Sequence, residues 1–223
     1  MRTLYHYTLC PFSRKVRLVL AEKKLDFDVE SEKFWERREA FRGINSAGQV
    51  PAFIDLNGTI VCDSYAIGEY LDEVYPDRPL LGGGPVAKAE IRRLTAWFDD
   101  KFAREVSLPL VFEKTLRRYM REAGPTNSQA IRGAKANIRH HLEYITWLID
   151  RRRWLAGEEI SLADLAAAAH LSVVDYLGDV PWNEHEGAKD WYMRIKSRPS
   201  FRALLADRLG GIMPASHYAE LDF

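Results

Sequence analysis

The chain has 223 residues, 47% of them hydrophobic, and its 32 Lys+Arg balance 32 Asp+Glu to a formal net charge of zero. That length suits one or two domains, the apolar content excludes a disordered chain, and the neutrality argues against a nucleic-acid partner, whose non-specific binding needs a basic face. Two cysteines exclude a disulfide-built scaffold, no metal site is read, and neither an apolar run of roughly 20 residues nor a signal region stands out, so a soluble protein of a reducing cytoplasm, without a transmembrane segment, is expected.

In chain order, residues 3–7 alternate as a short strand. A turn, Thr8-Leu9-Cys10-Pro11-Phe12-Ser13, leads into a helix over 13–24 with Val16, Val19 and Leu20 at helical spacing and basic residues interleaved. A second strand is predicted over 25–30, a weakly held charged helix over 35–43 and a third strand over 50–56. Asn57-Gly58 is a two-residue hairpin signal before a fourth strand over 59–62. Asp63-Ser64 stands where a helix N-cap belongs, and 65–75 carries Ile67, Leu71 and Val74 on one face. The Gly/Pro-rich stretch after it marks a linker over 79–86, separating a domain of residues 1–78 from a helical one of 87–211. Helices are predicted over 87–121, 128–153, 161–178, 187–197 and 200–208, with Ser161-Leu162-Ala163-Asp164 as a capping box. Residues 212–223 form a tail.

Three motifs carry chemistry, each with a plainer reading beside it. Cys10 at a helix N-terminus would have its thiolate stabilised by the helix dipole and act as a nucleophile with Ser13 nearby; otherwise it is a small buried turn residue. Val50-Pro51 before a strand is a plain turn, or a cis bond exposing the Val50 backbone to a peptide-like ligand. Asp63-Ser64 is an ordinary cap, or a helix N-terminus that binds a ligand carboxylate. The tail mixes apolar anchors (Tyr218, Leu221, Phe223) with acids (Glu220, Asp222), a pattern of docking onto this chain or onto a partner.

Taken together, Cys10-Pro11-Phe12-Ser13, the Ile44–Pro51 segment, Asp63-Ser64, the Ser161–Asp164 box and Arg198-Pro199-Ser200-Phe201 resemble the glutathione S-transferase superfamily across essentially the whole chain. The resemblance implies an α/β thioredoxin-like N-terminal domain, an all-α C-terminal domain and a homodimer. It implies a glutathione site at Val50, Pro51, Asp63 and Ser64 and, in an enzyme, Cys10 as the thiol-transferase nucleophile. The tail, His217-Tyr218-Ala219-Glu220-Leu221-Asp222-Phe223, is similar to that of superfamily members that serve bacterial cell division by binding FtsZ filaments. That likeness implies a division-site protein requiring no cofactor, with His217, Tyr218, Glu220, Leu221, Asp222 and Phe223 as partner-binding residues. A glutathione-dependent transferase using Cys10 is the alternative.

Overall fold

The computed structural model describes residues 1–120 and 124–221. In β1 (Arg2–His6) the alternation turns Leu4 and His6 inward. β2 (Phe27–Ser31) pairs with β1 in parallel and β3 (Ala52–Ile54) pairs antiparallel on the other side, so Leu4 stands between Val29 and Phe53. β4 (Ile60–Cys62) completes the order β2-β1-β3-β4. In place of the two-residue turn expected at Asn57-Gly58, a three-residue loop, Leu56-Asn57-Gly58, joins β3 to β4: the Asp55 amide donates to the Thr59 carbonyl at 2.9 Å, Gly58 takes φ +82°, and Asn57 Oδ1 accepts from the Thr59 amide at 3.0 Å. β2 is a free edge along which Asp28, Val29 and Glu30 are exposed.

Three helices complete this unit: α1 (Pro11–Glu22), α2 (Glu39–Ile44) and α3 (Ser64–Val74). The helix expected over 35–43 is split, a 3-10 turn at Phe34–Glu36 preceding α2 with Arg37 between them at φ +52°. α1 differs from a surface helix. Its interleaved basic residues do not face water; Arg14, Lys15 and Arg17 are buried against the helical unit. Arg14 and Arg17 share Asp207 at 3.0 and 2.8 Å, and Lys15 pairs with Asp99. Arg198 adds a bidentate pair to Glu22 at 2.6 and 2.8 Å, and Ser200 Oγ donates to the same carboxylate at 2.5 Å. The Arg198-Pro199-Ser200-Phe201 motif is thus a pin that holds the second unit to the end of α1.

The second unit is helical. α4 (Pro85–Ala96) begins at a proline, whose missing N–H costs nothing in a first turn. The single helix expected over 87–121 changes pitch instead. Its turns widen to π-helical over Trp97–Ser107, return to α in α5 (Leu108–Val111), widen again over Phe112–Leu116 and tighten over Arg117–Tyr119. Pro109 cannot donate to the Glu105 carbonyl, and Asn137 Nδ2 donates there instead at 3.2 Å. α6 (Ser128–Ile149) is capped by Asn127, whose Oδ1 accepts from the Ala130 amide at 3.0 Å. α7 (Leu162–Tyr176) is buried on every side and packs against α1, which makes it the axis of the molecule. α8 (Glu186–Lys196) follows, and the helix expected over 200–208 shrinks to α9 (Arg202–Leu205) after a 3-10 turn. Among the described residues no helix is long and apolar enough to cross a membrane.

Three buried histidines, His6, His141 and His170, all lowered by burial, give the fold an acid limit. His141 Nδ1 accepts from Trp97 Nε1 at 3.1 Å and its Nε2 faces Glu105 at 3.0 Å, so a second ring proton would break the tryptophan bond. Burial lowers His141 to about 4; burial and the Arg17 charge lower His6 to about 4 as well. An unfolded histidine takes its proton near 6.5 while these folded ones refuse it. Their contribution is therefore complete above that pH and is lost as pH falls toward 4. The unfolding free energy from denaturant titrations at pH 7 to pH 5 should fall steadily, by on the order of 1–2 kcal/mol each for His6 and His141. A His141→Gln variant should flatten that slope, and an unchanged slope would contradict the assignment.

Candidate functional site

The loop before β3 is built by one side chain. Asn45 donates Nδ2 to the Gln49 carbonyl at 2.7 Å and accepts the Ala47 amide at 3.1 Å, while Gly48 takes φ +64°. This delivers Val50 to a cis bond with Pro51. Opposite it, Asp63 caps α3 from φ +75°, its Oδ1 accepting the Tyr65 amide at 2.7 Å. Asp63 is exposed and Ser64 buried. Phe12, Asn45, Gln49, Val50, Asp63 and Ser64 thus enclose a cleft of about 250 Å³. Its polar lining comprises the Val50 backbone, helix N-terminal amides that can take a carboxylate, and the Asp63 carboxylate, which can accept from an ammonium group.

Cys10 is the N-cap residue of α1, half-buried, with its thiol 3.8 Å from the Val50 carbonyl and donating to it. Burial raises the thiol above its ordinary value, outweighing the hydrogen bonds from Ser13 and the Phe12 amide that pull it down. The helix dipole alone led to the opposite expectation. Ser13 is fully buried and its Oγ accepts the Tyr7 amide at 3.4 Å, so it also braces the turn. Titrating the thiolate by ultraviolet absorbance in a Cys62→Ser background should place Cys10 above free cysteine; a value below it would restore the nucleophile.

Beside Cys10 lies a second, apolar cleft of about 400 Å³ between the two units, lined by Tyr7, Phe12, Phe34, Leu108, Val111 and Leu116. Tyr7 is buried, and burial raises its hydroxyl to about 12. Trp35 and Tyr119 stack at 5.0 Å between the same two units. Apart from Phe12, which lies in the Cys10-Pro11-Phe12-Ser13 motif, no sequence motif announced these residues. Leu108, Val111 and Leu116 come from the pitch-shifted run, far along the chain from Tyr7, so local spacing carries no signal of the pairing.

The tail folds back on the helical unit. The Ala215 amide donates to the Tyr176 carbonyl at 2.9 Å, and the Tyr176 hydroxyl donates to the Ile212 carbonyl at 2.9 Å. His217 Nε2 meets Asp175 Oδ1 at 2.9 Å, and Lys196 Nζ donates to the His217 carbonyl at 3.3 Å. Tyr218, expected among the partner contacts, is instead fully buried and edge-on to Tyr176. It is an anchor. Glu220 and Leu221 are exposed, each bordering a shallow groove on α8 or the loop before it, and Asp222 and Phe223 lie outside the described residues.

The sequence matches the models of the glutathione S-transferase N-terminal domain over residues 4–79 and C-terminal domain over residues 108–199. It is 47% identical to FtsZ-localized protein A of Caulobacter vibrioides over 225 aligned residues, covering 100% of this chain and 98% of that one. Among solved structures, a glutathione S-transferase from Rhodospirillum rubrum matches with TM-score 0.96 and 53% identity over 100% of both chains. FzlA from C. crescentus matches with TM-score 0.95 and 47% identity, covering 100% of this chain and 99% of that one.

Proposed function

The chain belongs to the glutathione S-transferase superfamily, and from that premise we propose that it is a cytoplasmic division factor that binds FtsZ filaments without needing catalysis or a cofactor. The observation that carries this reading is the tail: an anchored base at His217 and Tyr218 that leaves Glu220 and Leu221 exposed. The full-length likeness to a protein named for its FtsZ localisation supports it. A homodimer would present two such tails, and the second contact would gain from effective concentration. The acids set orientation and rate of encounter, while Leu221 supplies apolar contact.

The cleft at Val50, Asp63 and Ser64 offers glutathione backbone and helix N-terminal partners, but a Cys10 thiol raised by burial is poorly suited to the thiol-transferase chemistry that would use it. The test is co-sedimentation with GTP-assembled FtsZ. A Glu220→Lys, Leu221→Asp double variant should pellet at least about tenfold more weakly than wild type while melting at the same temperature. Undiminished pelleting by that variant would sink the tail as the contact, and no pelleting by wild type would sink the function.

A further inference from the structure

Arg14 lies fully buried between the two units, and its guanidinium reaches four partners. Nε donates to the Thr8 carbonyl at 2.8 Å, Nη1 to the hydroxyls of Ser172 and Tyr218 at 2.9 Å each, and Nη2 to Asp207 at 3.0 Å. The Tyr218 hydroxyl in turn donates a hydrogen bond to the Leu204 carbonyl at 3.0 Å. One planar cation therefore holds the anchor of the tail on one side. On the other it holds the turn that runs from Thr8 to Cys10, the wall of the apolar cleft.

A guanidinium is a rigid fork, and a buried one that loses a partner must move or draw in water. Any such movement acts directly on the Thr8 carbonyl, which Nε holds. Asp207, in contrast, is also held by Arg17 through both of its oxygens at 2.8 and 3.0 Å. That second grip keeps α1 docked if Tyr218 leaves, which confines the response to the turn. We propose that Tyr218 and Arg14 form a clasp that makes the seating of the tail and the order of the Cys10 turn one cooperative unit, so that displacing the tail loosens the wall of the cleft.

The clasp is independent of what the tail binds, and it is tested in the full chain with Tyr218→Phe, which removes one hydroxyl and keeps the ring. Amide exchange should quicken about tenfold at residues 212–220 and, with it, at residues 8–10. In a Cys62→Ser background the reaction of Cys10 with Ellman's reagent should quicken by a similar factor, while Cys62, read in a Cys10→Ser background, keeps its rate. Faster exchange in the tail alone overturns the proposal, as does no change at either segment. Equal acceleration of both thiols overturns it too, because it marks general loosening.

Discussion

Removing residues 212–223 is expected to lower the melting temperature by on the order of 10 °C, the consequence of about 4 kcal/mol lost in a chain of this size. The tail is part of the core before it is anything else. Its loss takes away the buried Tyr218 ring, which alone merits about 3–5 kcal/mol. It also leaves Arg14 short of one hydroxyl, Asp175 without His217, and the Tyr176 carbonyl and hydroxyl without Ala215 and Ile212. Calorimetry on the truncated and full-length chains checks this; equal melting temperatures would show that Tyr218 carries no structural weight. The result also governs how interaction experiments are read. A truncated chain that no longer binds a partner has lost part of its fold, whereas changes at Glu220 and Leu221 touch only exposed side chains and should cost within about 0.5 kcal/mol.

Asp164→Ala should destabilise by about 3–5 kcal/mol, the other large effect. This carboxylate is fully buried and gathers four donors: the Leu155 amide at 2.9 Å, the Ser161 amide at 3.0 Å, the Ser161 hydroxyl at 2.9 Å and Trp191 Nε1 at 3.0 Å. It therefore closes the capping box of α7 and also ties in the preceding loop and α8. Alanine would leave all four groups buried without acceptors. Asp164→Asn keeps one carbonyl oxygen and should lose about half as much. Denaturant titration separates the two; a loss below about 1 kcal/mol for alanine would mean that water replaces the carboxylate.

The legible parts of the fold are those whose cause is local. The Ser161/Asp164 box and the Asp63 cap each announce themselves by residue type at fixed spacing and form as read, whereas Asn57-Gly58 reverses the chain where expected but within a three-residue loop, Leu56-Asn57-Gly58, closed by the Asp55 amide on the Thr59 carbonyl. Arg14, Lys15 and Arg17 were not legible as buried, because a helix with basic residues at those spacings looks the same whether it faces water or paired acids. Their partners, Asp99 and Asp207, lie far along the chain. The tail showed three apolar anchors, yet composition does not say which of them is inside, and Tyr218 turned inward because Arg14 and Leu204 wait there with a donor and an acceptor. Cys10 illustrates competing effects. The dipole argument is sound for a thiol open to water, and here burial outweighs it.

The exposed edge of the sheet has a bearing on life in a crowd. A protein gathered along a polymer meets its own copies at high local concentration, where unpaired strands invite one another to zip together. β2 offers such a strand, but with Asp28 and Glu30 exposed along it. Two copies brought edge to edge would face acid with acid, so the molecule can be packed densely without seeding a continuous intermolecular sheet.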